Sequence, residues 1–487
     1  MKLRIYAVAG VLALSATGCD SLLDTQPKQS LSPEVALGSL PLYRNLLSGA
    51  YNRLQSEAAY GQRLIIAPDA LGDNAVVAVN TGRYINEVPS ATGSSVGGWA
   101  TWYALVNDAN FVITGVDAVP NRSDADNALK AQIKAEALFL RGLAFFNLAR
   151  IYSYEPGVGS FDLGIVLRKT PTRNPSDAVS LARSTRAETY AQIKSDLTEA
   201  RAGFLAANAA DATYGRDVYF GSIAGTEALL SRVHLYAREW AQAEALATAA
   251  LASAPNQSRA NAAARAGGAV LTTAATHPTS FARQLGQANP ESLFEVLVLN
   301  NTTEGLGVNT ALNSLLVPGN GFYSLRASPE LIATFETGDV RLQLFPVQGT
   351  TTSRSANKFA GSLGNYADNI PVIRYAEVLL NRAEARAEQG NTTGALADLN
   401  LLRANRGVAA STATGAAILD AILLERRREL AFEGHRFFDL KRRALDIVKP
   451  ALTAGGTVGA TDFRRLAPIP ADQVQLSGDV LKQNPGY

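Results

Sequence analysis

Only a short inventory of residues could do chemistry in this chain. Gly93-Ser94-Ser95-Val96-Gly97 fits the G-x-S-x-G pattern that exposes a serine nucleophile on a strand-to-helix turn. The preceding Val88-Pro89-Ser90-Ala91-Thr92 does not read as the buried strand such a turn requires, so Ser95 is expected to be an ordinary hydroxyl. His234, His277 and His435 are the only histidines, and none stands at metal-ligand spacing from another. Asp124 and Asp126 lack the glycine and distal glutamate of a calcium loop and read as helix caps. With no phosphate loop or dinucleotide fingerprint, the sequence nominates no catalytic residue, no metal ligand and no cofactor.

Binding chemistry is better supplied. A neutral polar polymer needs flat apolar faces to rest on and side chains that hydrogen-bond hydroxyls without losing much entropy. Two regions rich in glycine, proline and polar residues hold both kinds of group. The first contains Asp69, Asp73, Asn74, Arg83, Tyr84 and Trp99, and the second contains Asn320, Phe322, Tyr323 and Arg326. Trp99, Tyr84 and Tyr323 are the candidate stacking rings, with Asp73, Asn74 and Arg83 within reach of hydroxyls. Trp102 and Trp240 are expected in the core, as are Phe145, Tyr236 and Phe432 on apolar helical stripes.

The run Glu425 to Arg443 is dense in charge and could pass for a nucleic-acid patch. Glu425, Glu429 and Glu433 fall on one helical stripe, with Arg426 and Arg428 three residues from an acidic partner, so intrahelical pairing is the expected role. Composition agrees. The 487 residues include 45 Lys+Arg and 43 Asp+Glu, with 47% hydrophobic residues. Loss of Lys2 and Arg4 with a signal peptide would leave the basic and acidic counts equal, with no global pull on nucleic acid. Cys19 is the single cysteine, which excludes an internal disulfide and a thiolate metal cluster.

The elements that must position these residues are largely helical. Leu129 to Tyr152 keeps Ile133, Ala137, Leu140, Ala144, Leu148 and Ile151 on one face, while Lys130, Lys134, Arg141 and Arg150 take the rest. Arg186 to Phe204 repeats the pattern. Gly225 to Ser253 reads as a hairpin bent at Trp240, and Val372 to Arg406 as a hairpin closed by the positive φ of Gly390. Ala416 to Arg443 forms a fifth unit. The Ala383 to Leu399 phrase looks like a tetratricopeptide repeat, but the units are too unevenly spaced for a tandem array. Residues 254 to 371 and 72 to 98 suit loops and short strands, and loops of that length usually carry function.

At the amino end, Lys2 and Arg4 precede an apolar stretch and small residues that stop at Cys19, the arrangement of a signal peptide over residues 1–18. Ala16-Thr17-Gly18-Cys19 resembles a bacterial lipobox, so Cys19 is expected to carry acyl chains at the head of a tether, residues 19–30.

Five stretches together resemble the SusD/RagB family of nutrient-binding outer-membrane lipoproteins: Cys19-Asp20-Ser21-Leu22-Leu23-Asp24; Trp99, Tyr103, Asn107 and Asn110; Leu140-Arg141-Gly142; Ile370-Pro371-Val372-Ile373-Arg374-Tyr375-Ala376-Glu377; and Glu425 through Phe432-Glu433-Gly434-His435-Arg436-Phe437-Phe438-Asp439-Leu440. The carboxyl end, Gln483-Asn484-Pro485-Gly486-Tyr487, follows the same pattern. The resemblance implies a mainly α, single SusD-like domain over residues 31–487. Four tetratricopeptide-repeat-like hairpins would pack against irregular loops, with an N-terminal part of about 31–255 and a C-terminal part of about 270–487. It also implies a non-catalytic surface lipoprotein that captures a glycan and passes it to a SusC-like TonB-dependent barrel transporter in the outer membrane. A peptide ligand, a surface scaffold and a hydrolase acting through Ser95 are the alternatives.

Overall fold

The long apolar stripes form the helices their periodicity predicts. A computed structural model of the chain describes residues 38–90, 93–210, 218–254, 268–282, 287–298, 306–349, 352–362, 364 and 366–487. The signal-peptide, Cys19 and tether expectations lie outside these residues. In chain order the elements are α1 (Leu40–Asn52), α2 (Arg63–Leu71), β1 (Ala75–Val77), α3 (Glu87–Ser90), α4 (Trp99–Gly115), α5 (Ala125–Tyr152) and α6 (Arg186–Ala210). Then come α7 (Ile223–Tyr236), α8 (Trp240–Ser253), β2 (Ser292–Val296), α9 (Leu312–Leu316), β3 (Leu325–Ala327), α10 (Pro329–Ile332) and β4 (Ile370–Arg374). The carboxyl portion holds α11 (Tyr375–Glu388), α12 (Thr392–Ala404), α13 (Ala417–Glu429), α14 (Arg436–Arg442), β5 (Ile447–Val448), β6 (Thr457–Val458) and α15 (Ala471–Leu476).

The helices pack as neighbouring pairs, α5 with α6, α7 with α8 and α11 with α12, with α8 against α11 and α13 joining the group through α11. Among the described residues three two-stranded antiparallel sheets, β1 with β3, β2 with β4 and β5 with β6, tie the intervening loops to this frame. One hydrophobic cluster runs through nearly all of it, with Trp102, Phe139, Phe145, Phe294, Phe432 and Phe437 inside. Gly390 closes α11 at φ 77°, as its position in the sequence requires.

Charge is distributed differently from the sequence expectation. Arg141 and Arg150 do not take a solvent face of α5. Arg141 is buried in a two-pronged pair with Asp196 of α6, and the Arg150 guanidinium lies 4.2 Å from the centre of the Phe438 ring. Helix α5 is enclosed on all sides over its second half, so any polar residue there must find an internal partner.

The same correction applies to the Glu425–Arg443 run, whose pairing is mostly between elements. Within α13 only Arg428 and Glu425 pair, at 3.2 Å. Arg426 reaches Asp439 of α14 at 2.8 Å. Glu429 meets Arg374 of β4 at 3.1 Å, Arg406 at 2.9 Å and Arg341 at 3.2 Å. Arg374 and Arg406 also share Glu291 at 2.7 and 2.8 Å, and Arg374 holds Glu433 at 2.6 Å. The side chains of Glu291, Arg374, Arg406, Glu429 and Glu433 are at most 2% exposed. A buried charge is tolerable only with such partners. The run therefore fastens α13 to β4 and to the loops preceding it.

Trp102 is fully buried, as expected, whereas Trp240 is only half-buried, packing at the edge of a small cluster of Leu235, Ala243 and Ala385. It begins α8 instead of lying inside the hairpin.

Candidate functional site

The two loop regions nominated from sequence are brought together by the β1–β3 ladder, in which Val76 faces Arg326 and Val77 faces Leu325. Just beyond it, Ala78 N donates to Ser324 O at 2.8 Å and the Thr81 and Ser324 hydroxyls meet at 2.7 Å. The chain on either side of these contacts therefore forms one surface.

Arg83 and Phe322 are the centre of that surface. The Arg83 guanidinium lies over the Phe322 ring, 4.2 Å from its centroid. Its Nη1 donates to Asn309 O at 2.9 Å and its Nη2 to Asn309 Oδ1 at 2.7 Å. Gln62 reinforces the loop, donating through Nε2 to Asn309 O and Thr310 O at 2.9 and 3.0 Å while accepting from Tyr84 Oη at 3.2 Å. Tyr84 sits at φ 58° and Tyr323 at φ 46°, in the left-handed region that bulky residues seldom enter. Both are half-buried candidate rings. Strain of this kind persists only where the surroundings over-determine it.

Beside Arg83 opens a polar cleft of about 380 Å³, lined by Glu57, Gln62, Arg63, Arg83, Tyr84, Glu87 and Ser95 among others. Arg63 is paired with Glu57 at 3.1 Å and also donates to Gly97 O. Ser95 Oγ donates to Glu87 Oε1 at 3.1 Å. Burial, with the nearby Glu87 carboxylate, pushes the Tyr84 phenol well above its usual range, so it stays a neutral hydrogen-bonding group. The arrangement offers donors, acceptors and ring faces on one wall. Ser95 has a carboxylate partner and no histidine, because His234 faces Glu239, His277 sits against Thr272, and His435 lies by Arg426.

Asp69, Asp73 and Asn74 do not line this cleft. They form the corner that supports it. Asp69 and Asn74 are fully buried, and Asp69 Oδ1 accepts from Asn74 Nδ2 at 2.8 Å and from Phe432 N at 2.9 Å. Asn74 Oδ1 accepts from Arg427 Nε, and Asp73 is gripped by both prongs of Arg436 at 2.6 and 2.7 Å. Burial pushes the Asp69 carboxyl up to about 6 against the pull of those donors. For Asp73 burial acts in the same direction, but the hydrogen bonds and charge of Arg436 outweigh it and hold the group below its ordinary range. Gly434 completes the corner at φ 83°, where an added Cβ would run into the Leu64 carbonyl. Lys449 Nζ donates to Ala70 O, Leu71 O and Gly72 O, joining the end of α2 to the β5–β6 hairpin.

Trp99 stands apart from Arg83. Its ring packs at 4.6 Å against Tyr103 and 5.1 Å against Tyr152, and it lines a second cleft of about 550 Å³ with Asn107, Val179, Leu181, Leu476 and Leu481. Asn320 donates weakly to Ala360 O at 3.4 Å, and Arg326 is half-buried on β3. The sequence reading missed Glu57, Gln62, Arg63, Glu87 and Asn309. Glu87 lies only three residues from Tyr84, whereas Glu57, Gln62, Arg63 and Asn309 fall outside both nominated groups and come to Tyr84 only in the folded chain.

Fold and site together define a helical-hairpin protein that presents an open polar cleft on its connecting loops. The chain belongs to the SusD/RagB family. Residues 344–487 match the model described as SusD family, and residues 22–235 match one described as starch-binding associating with outer membrane. The chain is 24% identical to SusD-like protein P2 of Formosa agariphila, over 98% of each chain. A putative sugar binding protein from Bacteroides vulgatus has the same fold, with a TM-score of 0.78, 28% identity, and coverage of 92% of this chain and 99% of that one. A laminarin binding SusD-like protein superposes with a TM-score of 0.69 at 22% identity, covering 91% of this chain and 99% of that one. Among the described residues no helix is long and apolar enough to cross a membrane.

Proposed function

We propose that this chain captures a glycan at the outer membrane and hands it to a TonB-dependent barrel transporter. The observation that carries the reading is the meeting of the two loop regions at Arg83 and Phe322, which fixes Arg83 at the edge of a cleft lined by Tyr84 and a row of hydrogen-bonding groups. A cleft that stacks sugar rings and hydrogen-bonds hydroxyls needs those groups on a stiff frame, and the half-buried ion pairs of Asp73 with Arg436 and Arg427 support that stiffness. The laminarin-binding neighbour and the starch-binding description of the amino-terminal match support the ligand class.

In this reading Cys19 carries the lipid, the protein does no chemistry on its ligand, and transport is the work of a SusC-like barrel. Tyr84, Arg83, Phe322, Tyr323, Asn320 and Arg326 are the ligand-facing residues of the proposal. Three experiments test it. Purification of the native protein in mild detergent should recover a TonB-dependent barrel with it, and Cys19→Ala should release the protein from membranes. Titration of the full chain against a glycan panel should find a binder that emerges chemically unchanged. A panel without binders, or turnover abolished by Ser95→Ala, would sink the capture reading.

A further inference from the structure

We infer that the glycan read at this cleft carries an acidic substituent, a carboxylate or a sulfate ester, and that Arg83 receives it. The inference rests on the glycan-capture reading above and makes its ligand more specific.

Several of the protein's arginines are paired with acids, while buried Arg183 and Arg465 spend their donors on neutral oxygens of the interior. Arg374, Arg406, Arg341, Arg426, Arg436 and Arg442 each meet a carboxylate within hydrogen-bond distance. Arg83 does not. Among the described residues it has no acidic partner, and its bonds go to the carbonyl and amide oxygens of Asn309. Those bonds fix the guanidinium without neutralising it. Phe322 covers one of its faces, so the plane is set and the side chain has already lost its rotamer freedom. Each Nη spends one proton on Asn309, which leaves Nε–H and the second protons of both Nη atoms for a ligand. That is the fork by which arginine grips two oxygens of one anion.

The remaining charges of the cleft set the direction. Glu57 and Arg63 neutralise each other. Glu87 has no cationic partner among the described residues and accepts from Ser95, so it repels an anion and favours a hydroxyl donor at its end of the cleft. Arg326, on β3 opposite Val76, lies outside the cleft lining and is a further cation without a carboxylate partner among the described residues. A sugar with its acidic group at Arg83 and a hydroxyl at Glu87 satisfies both ends. A wholly neutral sugar leaves a positioned guanidinium paired only with neutral oxygens.

The test is calorimetry on the full chain with three oligosaccharides of matched length: a neutral β-glucan, a uronic-acid polymer and a sulfated galactan. An acidic oligosaccharide should bind more tightly than the neutral one, and its affinity should fall as salt is raised. Arg83→Gln should weaken that binding by about tenfold or more, and Arg83→Lys, which keeps the charge but loses the fork, should recover only part of it. The uronic and sulfated arms tell the two sources of the anion apart. Thermal melts of both variants should match the parent. Neutral glucan bound as tightly as either acidic polymer, with Arg83→Gln without effect on the acidic ones, overturns the acidic assignment and leaves glycan capture standing. No binding in any arm overturns glycan capture itself.

Discussion

Phe322 carries the Arg83 guanidinium on its ring face at 4.2 Å, although the two residues belong to loops from opposite halves of the chain. The β1–β3 ladder brings the two loops together, and the contact holds Arg83 at the edge of the cleft. Such a cation over an aromatic ring contributes about 0.5–1 kcal/mol at an exposed site. Its larger effect is to fix the positions of both groups before a ligand arrives.

Phe322→Ala and Tyr84→Ala should each weaken glycan binding by about 1–3 kcal/mol, the range for truncating a central anchor. Titration calorimetry with the identified ligand reads the loss directly. Unchanged affinity in both variants would place the site elsewhere.

Trp99→Ala should behave differently. The ring is wedged between Tyr103 and Tyr152 at the first residue of α4, and its open edge faces the separate cleft with Leu476 and Leu481. Loss of so large a half-buried ring should lower the unfolding midpoint while leaving affinity at the Arg83 cleft intact. A selective loss of glycan affinity with unaltered stability would contradict this placement.

Glu429→Gln should destabilise the protein by about 3–5 kcal/mol, because Arg374, Arg406 and Arg341 would keep their charge in the interior with one carboxylate fewer. Urea unfolding measures the change. A midpoint close to that of the parent would mean that the network contributes little to holding α13 in place.

Acid should unfold the protein through the same network. Burial tends to raise the Glu291 carboxyl, but Arg406 and Arg374 overcome it and bring the group down to about 2. A folded-state value below the unfolded one means that the unfolded chain takes up the proton first. The stabilisation is therefore fully present above about pH 4.3 and is lost as pH falls towards 2. Asp69 has the opposite sign. Raised to about 6 by burial, it contributes stability below about pH 4 that is lost as pH rises through 6. Thermal melts between pH 2 and 7 should show a steep acid limb, and a flat profile down to pH 2 would count against the buried pairing.

Much of the frame was legible in the sequence because helical periodicity reports burial directly. The stripe of Ile133, Ala137, Leu140, Ala144, Leu148 and Ile151 is buried as read. Periodicity says nothing about which face a charge occupies once a helix is enclosed all round, so Arg141 and Arg150 read as solvated and the Glu425–Arg443 run as locally paired, whereas the fold pairs most of that run between elements and keeps local pairs such as Arg428 with Glu425 and Arg442 with Asp439. For the cleft, aromatic and polar composition located the two loops but could not separate lining from scaffold. Asp69, Asp73 and Asn74 have the chemistry of a sugar site, yet Phe432, Arg436 and Arg427 occupy them from more than 350 residues away in sequence. Gln62 and Asn309 escaped notice for the converse reason, since each is an isolated amide whose role exists only after folding.

The central claim is that the glycan lies on the Arg83–Phe322 wall. A crystal structure of the chain soaked with its ligand tests this most directly. The expected result is sugar density over Phe322 and Tyr84, with ligand oxygens within hydrogen-bond distance of Arg83. Density in the Trp99–Leu476 cleft with the Arg83 wall bare would contradict it.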